Sequence, residues 1–174
     1  MDIRTERLIL REFNEMDYDF FLKLEQNEFY IKYEEDSIPT DEQTRKKFDG
    51  ILEKNKSEDK YRFLITRAED GEPLGTVLIW CIDEPIREWE VGWGLSQEHT
   101  GRGIASEAAR ALLEFGFKEL KVHRIQANCN ANNIASEKMM ERIGMKKEGT
   151  LRHTRILRGE WCDSTIYSIL ENEI

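Results

Sequence analysis

The sequence predicts a mixed α/β fold, and three observations predict it. Apolar residues fall on every second position from Glu88 to Leu95, then at helical spacing over Ala105, Ala108, Leu112 and Phe115, then again as a strand from Val122 to Cys129. A helix standing between two strands sets them parallel, because the chain must cross back before it pairs again. The first strand and the helix meet at Thr100-Gly101-Arg102-Gly103-Ile104-Ala105, a glycine turn that opens directly into the helix.

The other elements follow in order. Leu8 and Leu10 alternate with Arg7 and Arg11 and predict a first strand near Arg7 to Glu12, after which Asn14 is placed to cap a helix with Phe20, Phe21 and Leu24 on its apolar side. Thr40-Asp41-Glu42-Gln43, after Pro39, has the form of a capping box and opens a second helix bearing Phe48, Ile51 and Leu52. The aromatic stretch between them, Phe29 to Tyr33, shows neither period, and two readings stand open: a substrate mouth or a core patch. Tyr61, Phe63 and Ile65 form a strand, Asp70-Gly71 a hairpin turn, and Leu74 to Ile82 a second strand; with Glu88 to Leu95 they make a meander. Beyond the crossover, Asn133 caps a helix that stops at Gly144, and two last strands, near Met145 to Arg155 and Trp161 to Leu170, turn at Arg158-Gly159. The expectation is a single domain over residues 1–174, with about seven strands and about four helices.

With charged residues at 35% and apolar ones at 39%, the chain is globular rather than disordered, and its longest apolar run, Val77 to Ile82, is far too short to span a bilayer. Met1-Asp2-Ile3-Arg4 has no signal pattern, and Cys81, Cys129 and Cys162 are odd in number and far apart; together these point to a cytoplasmic protein without a disulfide frame. A net charge of -9 argues against a nucleic-acid partner and favours a cationic one. His99, His123 and His153 share no metal-ligand spacing with the cysteines, so no metal is expected.

The chemistry gathers on the central strand and turn. Gly101 and Gly103 let successive backbone N–H groups point at one spot, where the unpaired amides and positive end of the following helix converge; an anion such as a phosphate belongs there. On the strand, Glu90 shares a face with Gly92 and Gly94, two glycines that leave the backbone bare for a close neighbour. A carboxylate in such a cleft can serve as a base; the alternative, a glutamate exposed to solvent or paired with an arginine, stays open.

Meander, Gly-x-Gly helix start, strand, Asn-capped helix and closing hairpin together resemble an acetyltransferase of the GNAT superfamily over nearly the whole chain. Thr5-Glu6-Arg7-Leu8-Ile9-Leu10-Arg11, Asn133-Ile134-Ala135-Ser136 and Gly159-Glu160-Trp161-Cys162-Asp163 with Tyr167 are similar to the RimJ/RimL type, the ribosomal-protein N-terminal acetyltransferases. The resemblance implies a mostly antiparallel twisted sheet splayed at its parallel pair. It also implies acetyl-coenzyme A as co-substrate, its pyrophosphate on the amides of Thr100, Gly101, Arg102, Gly103, Ile104 and Ala105, and its pantetheine arm along Trp93, Gly94 and Leu95 with Asn133 nearby. The family's phosphate loop usually begins with Gln or Arg, where this chain has Glu98.

Acetyl transfer to an amine implies a base, for which Glu90 is the candidate, and a proton donor for the departing thiolate. Many family members use a tyrosine seven residues after the capping asparagine; here that residue is Met140, and Ser136 takes its place as the candidate acid. Ser136 as an ordinary helix-surface serine remains the competing reading. The implied activity is acetyl transfer to a primary amine: a protein N-terminus, a polyamine or a small molecule. A non-catalytic acyl-coenzyme A sensor is the alternative, and a monomer and a homodimer are both compatible with the sequence.

Overall fold

A computed structural model describes residues 1–54 and 59–174. Its strands are β1 (Asp2–Arg4), β2 (Leu8–Arg11), β3 (Lys60–Arg67), β4 (Pro73–Asp83), β5 (Glu88–Leu95), β6 (Arg124–Asn130), β7 (Lys146–Leu157) and β8 (Glu160–Leu170). The helices are α1 (Tyr18–Glu25), α2 (Glu28–Ile31), α3 (Asp41–Lys54), α4 (Ile104–Lys118) and α5 (Ile134–Arg142). The strands form one eight-stranded sheet in the order β1-β2-β3-β4-β5-β6-β8-β7, antiparallel throughout except for the parallel β5–β6 pair.

Two elements exceed the seven strands and four helices expected. β1 is only three residues long, with the single apolar residue Ile3, too short for alternation to reveal it, yet it pairs with β2 from Asp2↔Arg11 to Arg4↔Ile9. α2 is a single helical turn within the aromatic stretch, capped by Asn27, whose side chain accepts from the amides of Phe29 and Tyr30. One turn is shorter than the period that would reveal it. The strand expected from Val122 begins instead at Arg124, because the Val122 amide still bonds to Gly116 at the end of α4 and Lys121 takes a left-handed φ of 55°. The capping box at Thr40 forms as read: its hydroxyl accepts from the Gln43 amide, and the Gln43 side chain accepts from the Thr40 amide.

Apolar side chains of the sheet divide between two faces. Val91, Ile79, Ile125 and Phe63 pack with Leu112, Leu113 and Ala108 of α4 and with Met139 and Met140 of α5. On the opposite face a smaller cluster of Phe13, Phe21, Phe48 and Leu64 seats α1 and α3. Gly116 lets α4 lie low on the sheet: a Cβ there would meet Ile125 Cδ1 at 2.8 Å and Ile79 Cδ1 at 3.1 Å.

The feature that positions the site is the incomplete pairing of β5. Against β4 it is paired along its whole length, from Asp83↔Glu88 to Gly75↔Leu95. Against β6 the ladder holds only at Glu88↔Arg124, Trp89↔Ile125 and Glu90↔Gln126. β6 then follows β8 to Asn130↔Ser164, leaving a wedge between Val91–Leu95 and the last residues of β6. Among the described residues no helix is long and apolar enough to cross a membrane.

The smaller cluster depends on one ring. Phe48 is fully buried and touches Phe13, Tyr18 and Phe21 at centroid distances of 6.1, 5.3 and 5.2 Å. Phe48→Ala should cost about 3–5 kcal/mol of stability, read as a lower urea midpoint with little change in slope. A midpoint equal to that of the parent would show that α1 and α3 are not held through this cluster.

Candidate active site

At the end of β5 the chain turns through Gly101 (φ 73°) and Gly103 (φ 77°), both in the left-handed region that side chains disfavour. Gly103 is the residue before α4, and no side chain caps that helix, so its first amides are free for an anion. The turn is pinned from β2's approach. Arg7 donates from Nη1 to the Arg102 carbonyl at 3.1 Å and from Nε to Glu107 Oε2 at 2.7 Å, while the Arg7 amide donates to Glu107 Oε1 at 3.0 Å. Thr5 Oγ1 donates to that same Oε1. Burial pushes the Glu107 carboxyl upward, but the Thr5 and Arg7 hydrogen bonds and the Arg7 charge outweigh it and hold the group below the usual range.

Glu90 stands where the β5–β6 ladder ends. Gln126 Nε2 donates to its Oε2 at 2.9 Å, and Asn128 Nδ2 to its Oε1, so the carboxylate bridges the mouth of the wedge. Among the described residues no arginine forms an ion pair with it. Burial raises its pKa; the Gln126 hydrogen bond and the charge of Arg155 offset part of that, and Glu88 and Glu34 add to it. Glu90 is thus half-buried and held by two side-chain amides.

The glycines beside it do not leave a bare face. A Cβ on Gly94 would fall 2.2 Å from Tyr30 Cε2, and one on Gly92 would fall 3.1 Å from Leu78 Cδ2. The close neighbours are therefore side chains, chiefly the Tyr30 ring laid on Gly94, and burial pushes the Tyr30 hydroxyl well above its ordinary range. The open part of β5 is its unpaired edge. Trp93 and Leu95 turn their side chains into the core, which leaves their backbone on that edge.

α5 starts at the wide end of the wedge. Asn133 caps it, accepting from the Ser136 amide at 3.2 Å. The Ser136 side chain is half-buried and hydrogen-bonded to the Cys129 thiol, which burial pushes up to about 11. A thiol held protonated is a poor nucleophile, which argues against acyl transfer through Cys129. Since Asn128 and Cys129 point to opposite faces of β6, Glu90 and Ser136 approach the wedge from opposite sides of the sheet. Met140 is fully buried in the main core and cannot reach the wedge. Tyr167, quoted for the resemblance, is also fully buried, and its hydroxyl donates to Glu137 at 3.1 Å and Glu141 at 3.0 Å; it anchors α5 to β8.

Gln126, Asn128 and Arg155 were not among the residues that the sequence singled out. A signal for two of them existed: Arg124, Gln126 and Asn128 put polar groups on one face of a strand whose other face is apolar, and parallel pairing lays that face beside Glu90. Among the described residues no cluster of three or more His, Cys, Asp or Glu is arranged to hold a metal ion.

Comparison with known proteins places this geometry. Residues 7–146 match the family model described as an acetyltransferase (GNAT) domain. An uncharacterized N-acetyltransferase of Bacillus subtilis, YnaD, is 32% identical over 173 residues, covering 99% of each chain. A GNAT-family acetyltransferase structure from Bacillus anthracis superposes with a TM-score of 0.88 at 31% identity, covering 99% of this chain and 100% of that one. RimL, a ribosomal L7/L12 α-N-protein acetyltransferase solved with coenzyme A, has the same fold, with a TM-score of 0.87 at 22% identity over 98% of both chains.

The left-handed glycines, uncapped helix start and unpaired strand edge fit a coenzyme A phosphate and arm. Gly103→Val forces a β-branched residue to a φ of 77° although a Cβ has room there, its nearest neighbour being Arg7 Nη2 at 3.5 Å. The strain, of order 1–3 kcal/mol, should distort the turn and weaken coenzyme A binding at least about tenfold by calorimetry. Unchanged affinity would place the phosphates elsewhere.

Proposed function

The chain belongs to the GNAT acetyltransferase family, and from that premise we propose that it moves an acetyl group from acetyl-coenzyme A to a primary amine by direct attack in a ternary complex. The observation that carries the reading is the position of Glu90: a half-buried carboxylate, in no ion pair among the described residues, at the point where the β5–β6 ladder ends. The glycine turn at Gly101 and Gly103 lies at the other end of the same open edge. When bound, acetyl-coenzyme A supplies an acetyl group activated as a thioester.

The chain's own groups supply the rest. The amides from Thr100 to Ala105 hold phosphate; the edge at Trp93, Gly94 and Leu95, with Asn133, lines the arm. Glu90 takes a proton from the attacking amine through an ordered water. An α-amino group has a pKa near 8 and a lysine amine about 10.4, so at neutral pH the acceptor arrives as a cation and needs that step. Ser136, on the other side of the wedge, hydrogen-bonds to the departing sulfur and relays to it a proton taken from solvent, so that its hydroxyl is regained.

Acceptors of one class fit this cleft: amines that are cationic in solution, such as a protein N-terminal α-amine, a polyamine or a small-molecule amine. The net charge of -9 favours such a charge. A cytoplasmic enzyme of this kind has both substrates at hand. The buried Met140, in place of the family's tyrosine, favours a second reading, a non-catalytic acyl-coenzyme A sensor. Thiol release on mixing acetyl-coenzyme A with a panel of amines and ribosomal-protein N-terminal peptides separates the two: enzyme if it is amine-dependent, sensor if the cofactor binds and no thiol appears.

Glu90 acts as a base only when ionised. Because burial raises its pKa, the rate should fall on the acid side at a higher pH than an ordinary carboxylate would give. Glu90→Gln keeps the size and removes the base; turnover should drop most near neutral pH and least at high pH, where the amine is already neutral. A loss by the same factor at every pH would assign Glu90 to positioning. Ser136→Ala should lower kcat on the order of a hundredfold with cofactor affinity kept, and equal turnover would leave that proton to water.

A further inference from the structure

Two charged clasps tie the segment after α2 to the β7–β8 hairpin. At the hairpin turn the Arg158 guanidinium donates to the carbonyls of Lys32 and Glu35, at 2.9 and 3.1 Å, and the Arg158 amide donates to Asp36 Oδ1 at 2.6 Å. Deeper in, Arg155 is held differently. Its Nη1 donates to Glu34 Oε2 at 2.8 Å and to the Tyr33 carbonyl at 3.4 Å, while its Nη2 donates to Asn128 Oδ1 at 3.3 Å. Asn128 is the residue whose amide nitrogen donates to Glu90. A chain of contacts thus runs from Glu34 through Arg155 and Asn128 to the proposed base.

β7 is irregular where it delivers this side chain. Its register against β8 passes from Leu151↔Ser164 to Arg155↔Cys162, so Arg152, His153 and Thr154 together stand opposite Asp163. His153 takes a left-handed φ of 52°, and its amide donates to Asp163 Oδ1 at 2.9 Å. Such a bulge bends a strand and re-aims the side chain that follows it. Here the residue that follows is Arg155, whose side chain is only 26% exposed.

We propose that Arg155 is a positioning residue for acetyl transfer, fixing the Asn128 amide so that it offers Glu90 a hydrogen-bond donor. The physical reason lies in the donor inventory. A guanidinium has donors and no acceptor, so the Asn128 atom that meets it must be the carbonyl oxygen, and the NH2 is left to face the carboxylate. A carboxylate that accepts from NH2 is stabilised as the anion; one that faces a carbonyl is stabilised only when protonated. Arg155 therefore keeps the base in its working form in two ways: through the orientation of Asn128 and through its own positive charge near Glu90.

The other groups facing Glu90 set the background. Glu88, on the same strand face, opposes its ionisation but is neutralised by Arg124 at 2.6 Å; Gln126 donates to it from β6; Trp80, opposite on β4, is uncharged. Glu34 opposes ionisation too, and its pairing with Arg155 blunts that effect.

The inference rests on Glu90 as the base, and its test separates the two claims. Arg155→Met removes every donor while keeping an unbranched apolar stem, and frees the Asn128 amide to turn. The ionisation of Glu90 is followed by 13C NMR of its carboxyl carbon, and the acid limb of kcat/KM is measured in parallel. In Arg155→Met the NMR titration should move to higher pH by about one unit, the scale set by loss of one nearby charge and one oriented donor. The acid limb should move with it. Arg155→Lys, which keeps the charge and is the gentler change for folding, should fall between parent and Arg155→Met. An NMR titration that shifts while the rate limb stays fixed supports the positioning by Arg155 and contradicts Glu90 as the base. A titration of Glu90 unmoved in both variants overturns the inference.

Discussion

The constraint on which the structure depends is the early end of the β5–β6 ladder. A strand buried in the middle of a sheet must give its backbone groups partners, and each one left unpaired away from water costs about as much as a lost hydrogen bond. β5 meets this demand in full on its β4 side and only as far as Glu90↔Gln126 on its β6 side. The edge from Val91 to Leu95 is thus without a strand partner on its β6 side, and it is along this edge that the proposed pantetheine arm would lie. The glycine turn beyond Leu95 leads from that edge into the uncapped start of α4.

The elements around this wedge are tied to the sheet on both of its faces. On one face α4 sits low through Gly116, and α5 is tied to β8 by Glu137, which accepts from both Thr165 and Tyr167 at 3.1 Å. On the other face the aromatic cluster seats α1 and α3, and Tyr30 lies on Gly94. Two arginines, 155 and 158, then join the α2 segment to the terminal hairpin across the acceptor side. The Glu137 tie is charge-assisted and partly buried, where it keeps more of its strength than an exposed pair does.

Much of this was legible in the sequence because it rests on period. The alternation in Glu88–Leu95, the helical spacing of Ala108, Leu112 and Phe115, and the glycines at Gly101 and Gly103 each follow from one local rule, and β5, α4 and the turn came out where those rules put them. What escaped was either too short to have a period, as with β1 and α2, or depended on distant partners. Nothing adjacent to Arg155 in the chain announces that a bulge at His153 aims it toward Asn128. The glycine face misled for a related reason: local reasoning sees the missing side chains of Gly92 and Gly94, and only the fold shows Tyr30 filling one of the spaces.

The central claim is that the unpaired edge of β5 and the turn that follows it form one binding surface for coenzyme A. Hydrogen exchange of the individual backbone amides, with and without coenzyme A, tests it directly, since an amide that gains a partner exchanges more slowly. The account predicts new protection concentrated on the edge amides from Val91 to Leu95 and on Thr100 to Ala105, with the β4-paired side of the strand unchanged. Binding of coenzyme A with no added protection at either stretch would contradict it.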